Sequence, residues 1–467
     1  MIGPVDLLVD LRQDDGRPLR ERLERELRDA VRCGRLAPST ALPSTRALAA
    51  QLGVSRGVIV EAYAQLVAEG YLSARQGAAT VVAPRPRAGA GLTTPAAGGW
   101  PSPPPRFDFR YGTPDLSAFP RAAWQASSAR AMRAASDAQL GYGDARGALE
   151  LREVLAAYLG RVRGVVADPR LLHISGGTRQ ALGFVWRLLR DGGAKRVGIE
   201  DPGWSAQRDS SLGAGLEVVA IPVDEHGLQI TDLAALDIDA VVLTPAHQCP
   251  TGALLAPERR AALLDWARAR RAWIVEDDYD AEYRYDRQPV GALQGMDPDR
   301  VLYAGSVSKT LAPALRLGWI VLPSALAEAA SRRQATVDRG QPVLTQLTLA
   351  DLIARGELDR HLRRTRRRYR DRRDALVAAV TRELPGARIE GIAAGLHALV
   401  RLPAGCDERA TVSAALERGI ALEGLEDFAR APGSSSPGLV LGYGNLTEPA
   451  IARGIAELAG ALRWIQD

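Results

Sequence analysis

Lysine is almost absent from this chain. Of its 60 basic residues only Lys195 and Lys309 are lysines. A GC-rich genome produces such a bias by writing Arg codons where Lys would serve. Arginine replaces lysine on a solvated surface but not where amine chemistry is needed. Each surviving lysine is therefore worth inspecting. Cysteine is equally scarce. Cys33, Cys249 and Cys406 are far apart and odd in number, which excludes a disulfide framework and fits a reducing compartment. No apolar run approaches the roughly 18 residues of a membrane span. The opening MIGPVDLLVDLRQDD has neither the basic start nor the apolar run of a signal peptide. A cytoplasmic location is expected. The five histidines show no metal-ligand spacing, and His247-Gln248-Cys249 reads as a turn, so no metal is expected.

What is present is an ordinary globular composition. The chain has 467 residues, 46% hydrophobic and 25% charged. That excludes a disordered or fibrous polypeptide and predicts two or three domains. A net charge of +5 is only a mild hint of an anionic partner. Residues 83–105 are rich in Pro, Gly and Ala and lack either period, so they read as a tether. They separate a module of residues 1–82 from one of residues 106–467. No internal repeat is visible.

In the first module Leu19, Leu23, Leu27 and Val31 recur every four residues, predicting an amphipathic helix over 19–32. Ser44 is placed to cap a second, short helix, Gly53 makes a turn, and Ser55 is placed to cap a third helix facing inward with Ile59, Tyr63 and Leu66. Tyr71-Leu72 and Thr80-Val81-Val82 flank Arg75-Gln76-Gly77 as a small hairpin. This is the order of a winged helix-turn-helix, whose third helix enters the DNA major groove. Ser55 and Arg56 would face base edges; Arg46, Arg75, Gln76 and Gly77 would face phosphates or groove edges. The segment ALPSTRALAAQLGVSRGVIVEAYAQLVAEGYLSARQG resembles the GntR superfamily of bacterial transcription regulators over nearly all of residues 10–82. Two departures stand out. Ser39-Thr40 replaces the usual Gly, and the wing reads Gly77-Ala78-Ala79-Thr80 rather than Gly-x-Gly-Thr.

In the second module short apolar runs alternate with helical stretches. Leu171–Ser175, Val197–Glu200, Glu217–Val223, Ala240–Thr244, Trp273–Glu276, Val301–Gly305 and Leu317–Leu322 read as buried strands, with helices such as Glu258–Arg270 between them. The pattern predicts an α/β layer on a largely parallel sheet, with ligands beyond the carboxyl ends of its strands. Lys309 in SVSKT follows one strand and can form a Schiff base with an aldehyde cofactor. Ser306, Ser308 and Arg316 can bind phosphate. Asp277 in EDDYD can pair with a pyridinium nitrogen, and Tyr279 can reach a ring oxygen. The Gly177-Thr178 turn in ISGGTRQAL offers backbone N–H groups to a phosphate. Trp204 in EDPGW can stack on a planar ring. Each feature alone has a plainer reading: surface lysine, structural acid, mere turn.

Together GYGDARGALELREVLAAYL, ISGGTRQAL, EDPGW, TPAHQCPTG, EDDYDAEYRY and SVSKTLAPALRLGW resemble the aminotransferase domain of the MocR subfamily of GntR regulators. The resemblance covers about residues 105–465. It implies a fold-type I α/β domain with a small C-terminal α+β subdomain, and pyridoxal 5'-phosphate as cofactor. Lys309 would hold the cofactor covalently, Asp277 its ring nitrogen, Tyr279 its ring hydroxyl and Trp204 its ring face. Gly177, Thr178, Ser306 and Arg316 would take the phosphate. Tyr142 would reach the phosphate of a partner subunit in a head-to-tail homodimer. Departures bear on function. Cys249 replaces an Asn that touches the ring oxygen in aminotransferases. Val440 replaces an Arg that grips a substrate carboxylate, with Arg430 as a substitute candidate for effector binding. The arginine-rich run His361–Arg373 reads as a small-domain helix, and His397 as structural or near the pocket. Two functions follow. The first is a DNA-binding regulator that senses pyridoxal phosphate or an amino compound such as γ-aminobutyrate. The second is an active aminotransferase with an accessory DNA-binding domain. The complete winged helix, Cys249 and Val440 favour the first.

Overall fold

The four-residue recurrence of leucines in the first unit does form a helix, α1 (Leu19–Arg32), with Leu23, Leu27 and Val31 turned inward. Helix α2 (Thr45–Leu52) starts where the Ser44 hydroxyl accepts the Ala47 N–H at 3.2 Å, and it ends at Gly53 with φ +64°. Helix α3 (Arg56–Ala68) follows. Ser55 occupies its N-cap position, but its side chain makes no cap bond. The Val58 N–H, the usual target of such a cap, goes to the Ser55 backbone carbonyl instead, at 3.1 Å. Strands β1 (Leu72–Ser73) and β2 (Val81–Val82) pair antiparallel, Leu72 opposite Val82. Leu23, Leu27, Leu48, Ile59 and Leu66 are fully buried in one cluster. Each such side chain contributes about 1.5–3 kcal/mol, against about 0–1 kcal/mol for a surface ion pair such as Arg28–Glu69. Apolar burial therefore holds this small unit together.

The computed structural model describes residues 18–75, 78–84, 104–286, 290–337, 340–430 and 436–466. The chain divides into two units, Met1–Ser102 and Pro103–Asp467. Gln76 and Gly77, expected in the wing, lie outside the described residues, as do most of the expected tether and 431–435.

The larger unit begins with β3 (Phe107–Asp108) and is built on an eight-stranded sheet. Its strands are β4 (Leu172–Ser175), β5 (Arg196–Asp201), β6 (Glu217–Asp224), β7 (Gly227–Leu228), β8 (Ala240–Leu243), β9 (Trp273–Asp278), β10 (Val301–Ser306) and β11 (Gly318–Val321). Their order is β4-β11-β10-β9-β8-β5-β6-β7. The run from β10 to β6 is parallel, as the α/β alternation predicts. The sheet as a whole is mixed, because β11 runs antiparallel to both neighbours and β7 to β6. Residues 307–317 are too few for a crossover helix, so the chain leaving β10 returns directly as β11. That short return carries Lys309. Alternation along the strands sends Leu302, Ala304 and Ile320 to one cluster and Tyr303, Trp319 and Val321 to the other.

A smaller four-stranded antiparallel sheet contains β12 (Arg388–Glu390), β13 (His397–Arg401), β15 (Glu423–Gly424) and β16 (Gly438–Gly442), in the order β12-β13-β16-β15. Strand β14 (Ile420–Ala421) pairs in parallel with β3, so the first strand of the unit joins its C-terminal part. The arginine-rich run lies on the helix Glu357–Glu383, whose His361, Thr365 and Tyr369 are buried. Tyr369 accepts the Asp115 N–H at 2.9 Å, and Asp115 pairs with Arg368 and Arg372.

Candidate cofactor and ligand site

At the carboxyl ends of the parallel strands lies a cavity of about 310 Å³. Lys309, Asp277, Tyr279, Trp204, Thr178, Ser306, Ser308 and Arg316 all line it. These residues come from four separate segments of the chain.

Lys309 stands in the return after β10. Burial pulls its amine below the usual lysine pKa, opposed by nearby Cys249, Asp280 and Asp277. The amine donates to the Gly112 carbonyl at 2.5 Å. A side chain at Gly112 would put its Cβ 2.4 Å from that nitrogen, so this position needs glycine for space as well as for its φ of +79°. The other lysine, Lys195, is exposed at the start of β5.

Asp277 is the penultimate residue of β9 and is buried. Its Oδ2 accepts from Gln207 Nε2 at 2.9 Å, while its Oδ1 is buried and has no partner. Burial pushes its carboxyl up to about 7, the Gln207 bond working against the rise. An unsatisfied buried carboxylate oxygen costs on the order of 1–3 kcal/mol, so a donor arriving at Oδ1 would be strongly held. Gln207 lies three residues beyond Trp204, one helical turn into Ser205–Gly213. That spacing was a signal the sequence offered and that motif reading missed.

One end of the cavity is built on backbone. Gly177, with φ +97°, caps the helix Thr178–Asp191, and the N–H groups at a helix start can serve as anion donors. A Cβ on Gly177 would sit 3.3 Å from the Arg316 guanidinium, and one on Gly318 would sit 2.8 Å from the Gly177 backbone. Arg316 itself has φ +50°. Arg179 also lines the cavity, with its guanidinium 5.5 Å from the Trp204 ring centre.

Behind Cys249 the packing is apolar. Cys249, Leu399, Leu425, Phe428 and Val440 form one buried cluster, with Tyr111, Trp204 and Tyr279 packed against it. Cys249 lines the cavity, and burial pushes its thiol well above the usual value. Thr244 joins Cys249 to β5, donating to buried Glu200 at 2.7 Å and accepting the Cys249 N–H at 3.0 Å. Burial lifts Glu200 to about 7.

Arg430 is not among the residues that line this cavity. It donates its guanidinium to the Val218 carbonyl on β6 at 3.2 Å and its N–H to Asp201. Tyr142 borders a separate groove and is 88% exposed. In the smaller unit, Arg46, Ser55, Arg56 and Arg75 are all exposed, and Arg56 donates to Thr45 at 3.3 Å.

The histidines hold a juxtaposition that their sequence spacing did not show. His247, Asp280 and His397 are buried, with potential ligand atoms within 4.8 Å of one another. Each nitrogen in question has a protein partner. His247 Nδ1 faces both Asp280 oxygens at 3.1 Å, and His397 Nε2 faces the Pro250 carbonyl at 3.2 Å. Burial holds His397 neutral, with a pKa lowered to about 3.

Comparison with known proteins matches both units. Residues 19–82 match the bacterial regulatory proteins of the gntR family, and residues 108–429 match aminotransferase class I and II. The chain is 34% identical to the probable rhizopine catabolism regulatory protein MocR of Rhizobium meliloti, over 97% of this chain and 96% of the relative. It is 33% identical to the pyridoxine biosynthesis transcriptional regulator PdxR of Corynebacterium glutamicum, over 98% and 99%. Among solved structures, kynurenine aminotransferase from Pyrococcus horikoshii superposes with a TM-score of 0.71 at 26% identity, covering 77% of this chain and 91% of that one. Among the described residues no helix is long and apolar enough to cross a membrane. The winged helix in front of an aminotransferase fold, matched end to end in relatives named as regulators, is what distinguishes this chain from the enzymes. It belongs to the MocR-type GntR regulators, DNA-binding transcription regulators whose larger unit has the class I and II aminotransferase fold.

Proposed function

We propose that the larger unit binds pyridoxal 5'-phosphate at Lys309 and uses that site to sense a small molecule. One observation carries the reading. A buried amine and a buried carboxylate oxygen without a partner share a cavity whose far end is a helix N-terminus. The residues fit the group. Asp277 Oδ1 would accept from the ring nitrogen, Tyr279 would reach the ring oxygen, and Trp204 would cover a ring face. Thr178, Ser306, Ser308 and Arg316, with the Gly177 turn, would hold the phosphate. The chemistry supplied by such a cofactor is an electrophilic carbonyl carbon that links reversibly to amines. The lowered pKa of Lys309 keeps more of its amine in the neutral, nucleophilic form at neutral pH.

Sensing rather than turnover is supported by this apolar packing. Cys249 lines the cavity with no charge to offer, and Val440, in the buried cluster behind it, supplies none. That tilts the signal toward pyridoxal phosphate itself, and the relative named for pyridoxine biosynthesis points the same way. A head-to-tail homodimer, with Tyr142 reaching its partner, would present two winged helices to paired half-sites. Ligand binding would shift the population of two dimer arrangements. Sequence readout falls to Ser55 and Arg56 at the start of α3, and phosphate contact to Arg46 and Arg75.

A second reading, an active aminotransferase, is favoured by the 30% identity to 2-aminoadipate transaminase of Thermus thermophilus over 76% of this chain. Borohydride trapping tests the shared part. Wild type incubated with pyridoxal phosphate should gain one reduced adduct at residue 309, and Lys309→Ala should gain none. An adduct surviving in that variant would overturn the assignment. A footprint on the DNA upstream of the gene, at fixed salt with and without pyridoxal phosphate, separates the two functions. Protected half-sites that respond to the cofactor mean a sensor. Turnover of an amino donor with no effect on DNA means an enzyme.

A further inference from the structure

Tyr279 does not stand alone in the cavity wall. Its hydroxyl donates to the backbone carbonyl of His247 at 2.9 Å and lies 3.1 Å from the ring nitrogen Nδ1 of the same residue. That nitrogen in turn faces both oxygens of Asp280 at 3.1 Å. Tyr279, His247 and Asp280 therefore form a buried chain that emerges into the cavity only at the tyrosine. The packing behind it leaves no slack. A Cβ on Gly395 would lie 2.2 Å from the His247 ring and 2.4 Å from an Asp280 oxygen. A neutral imidazole donates from one nitrogen and accepts at the other. A carboxylate at Nδ1 selects the tautomer with its proton there, the way second-shell acids orient histidines elsewhere.

We propose that Asp280 and His247 are positioning residues that fix the hydroxyl of Tyr279 for contact with the ring oxygen of the bound cofactor. The inference rests on the cofactor reading above but concerns residues to which that reading gives no role. The groups facing this chain are Cys249, Asp277, Glu200, Lys309 and His397, all buried. Glu200, Lys309 and His397 come from three other segments, so the chain is enclosed on every side by groups from elsewhere in the fold. The hydroxyl has one proton; turned from the His247 carbonyl to the ring oxygen, it leaves the hydroxyl oxygen to accept from His247 Nδ1–H, and a donor at a phenolate oxygen stabilises the form that has lost the neighbouring Schiff-base proton. Removing the device should therefore make that proton harder to lose.

The test is a pH titration of the visible absorbance of full-length protein loaded with pyridoxal phosphate. His247→Ala should raise the midpoint by about one unit, equivalent to a tenfold change in proton affinity. His247→Asn, whose amide falls near the Nδ1 position, should recover most of the shift. Asp280→Asn should give an intermediate value and guards against failure of the first variant to fold. If His247→Ala and Asp280→Asn load the cofactor and titrate like wild type, the proposal falls. If wild type forms no absorbing adduct at all, the cofactor reading fails instead, and the two failures are distinct.

Discussion

At the residue scale the most informative group is Asp277. Its folded carboxyl is raised to about 7 by burial, while an unfolded aspartate titrates near 3.8. Between those values the folded chain holds a proton that the unfolded chain has released. Its contribution to stability is therefore complete below about pH 4 and is lost as pH rises through 7. Asp277→Asn removes the titration. Without cofactor, wild type should lose more thermal stability between pH 5 and pH 8 than this variant does. Loading pyridoxal phosphate at pH 8 should reverse the ranking, because a cation at Oδ1 favours the charged carboxylate. Melting curves at both pH values, with and without cofactor, check both statements. The raised Glu276 acts in the same direction in both proteins and cancels in the comparison, whereas Glu200, raised in part by the Asp277 charge, relaxes toward its ordinary value in the variant.

Elements explain why those residues converge. Gly177 opens the helix Thr178–Asp191 at a left-handed φ, where a Cβ costs about 1–3 kcal/mol. Gly177→Ala should fold yet retain pyridoxal phosphate poorly through gel filtration, since the anion-binding turn itself is disturbed. In the smaller unit, Ser44→Ala removes an observed cap, which costs about 1 kcal/mol. That is a fall of roughly 4–8 °C in Tm for a domain of this size. Much of this was legible from sequence. Strand ends carrying Lys309 and Asp277 followed from apolar runs, and α1 from its leucines. What escaped was set by distance along the chain. Gln207 and Asp277 are far apart in sequence, and so are His247, Asp280 and His397, so no local pattern announces their meeting. The antiparallel β11 escaped for another reason. Its composition is that of its parallel neighbours, and only the length of the return from β10 decides its direction. The partner of Arg430 was equally hidden, since the carbonyl it binds lies on β6, more than two hundred residues away.

As a whole molecule the chain is two units, each with its own buried cluster. Calorimetry should show two transitions, and pyridoxal phosphate should raise only the one belonging to Pro103–Asp467. Arg56→Ala should weaken operator binding more than binding to unrelated DNA. Arg46→Ala should weaken both alike and lower the salt slope by about one phosphate contact. The scarcity of lysine gives the molecule one more property. A lysine-specific endoprotease can cut the denatured chain after residues 195 and 309 only. The exposed Lys195 reports complete digestion, and the buried Lys309 reports its own chemical state. Unmodified protein should yield fragments 1–195, 196–309 and 310–467, whereas protein reduced with its cofactor in place should yield 1–195 and an undivided 196–467. A single gel lane would then read the occupancy of the sensor as a ratio of band intensities, in purified protein or in a cell extract.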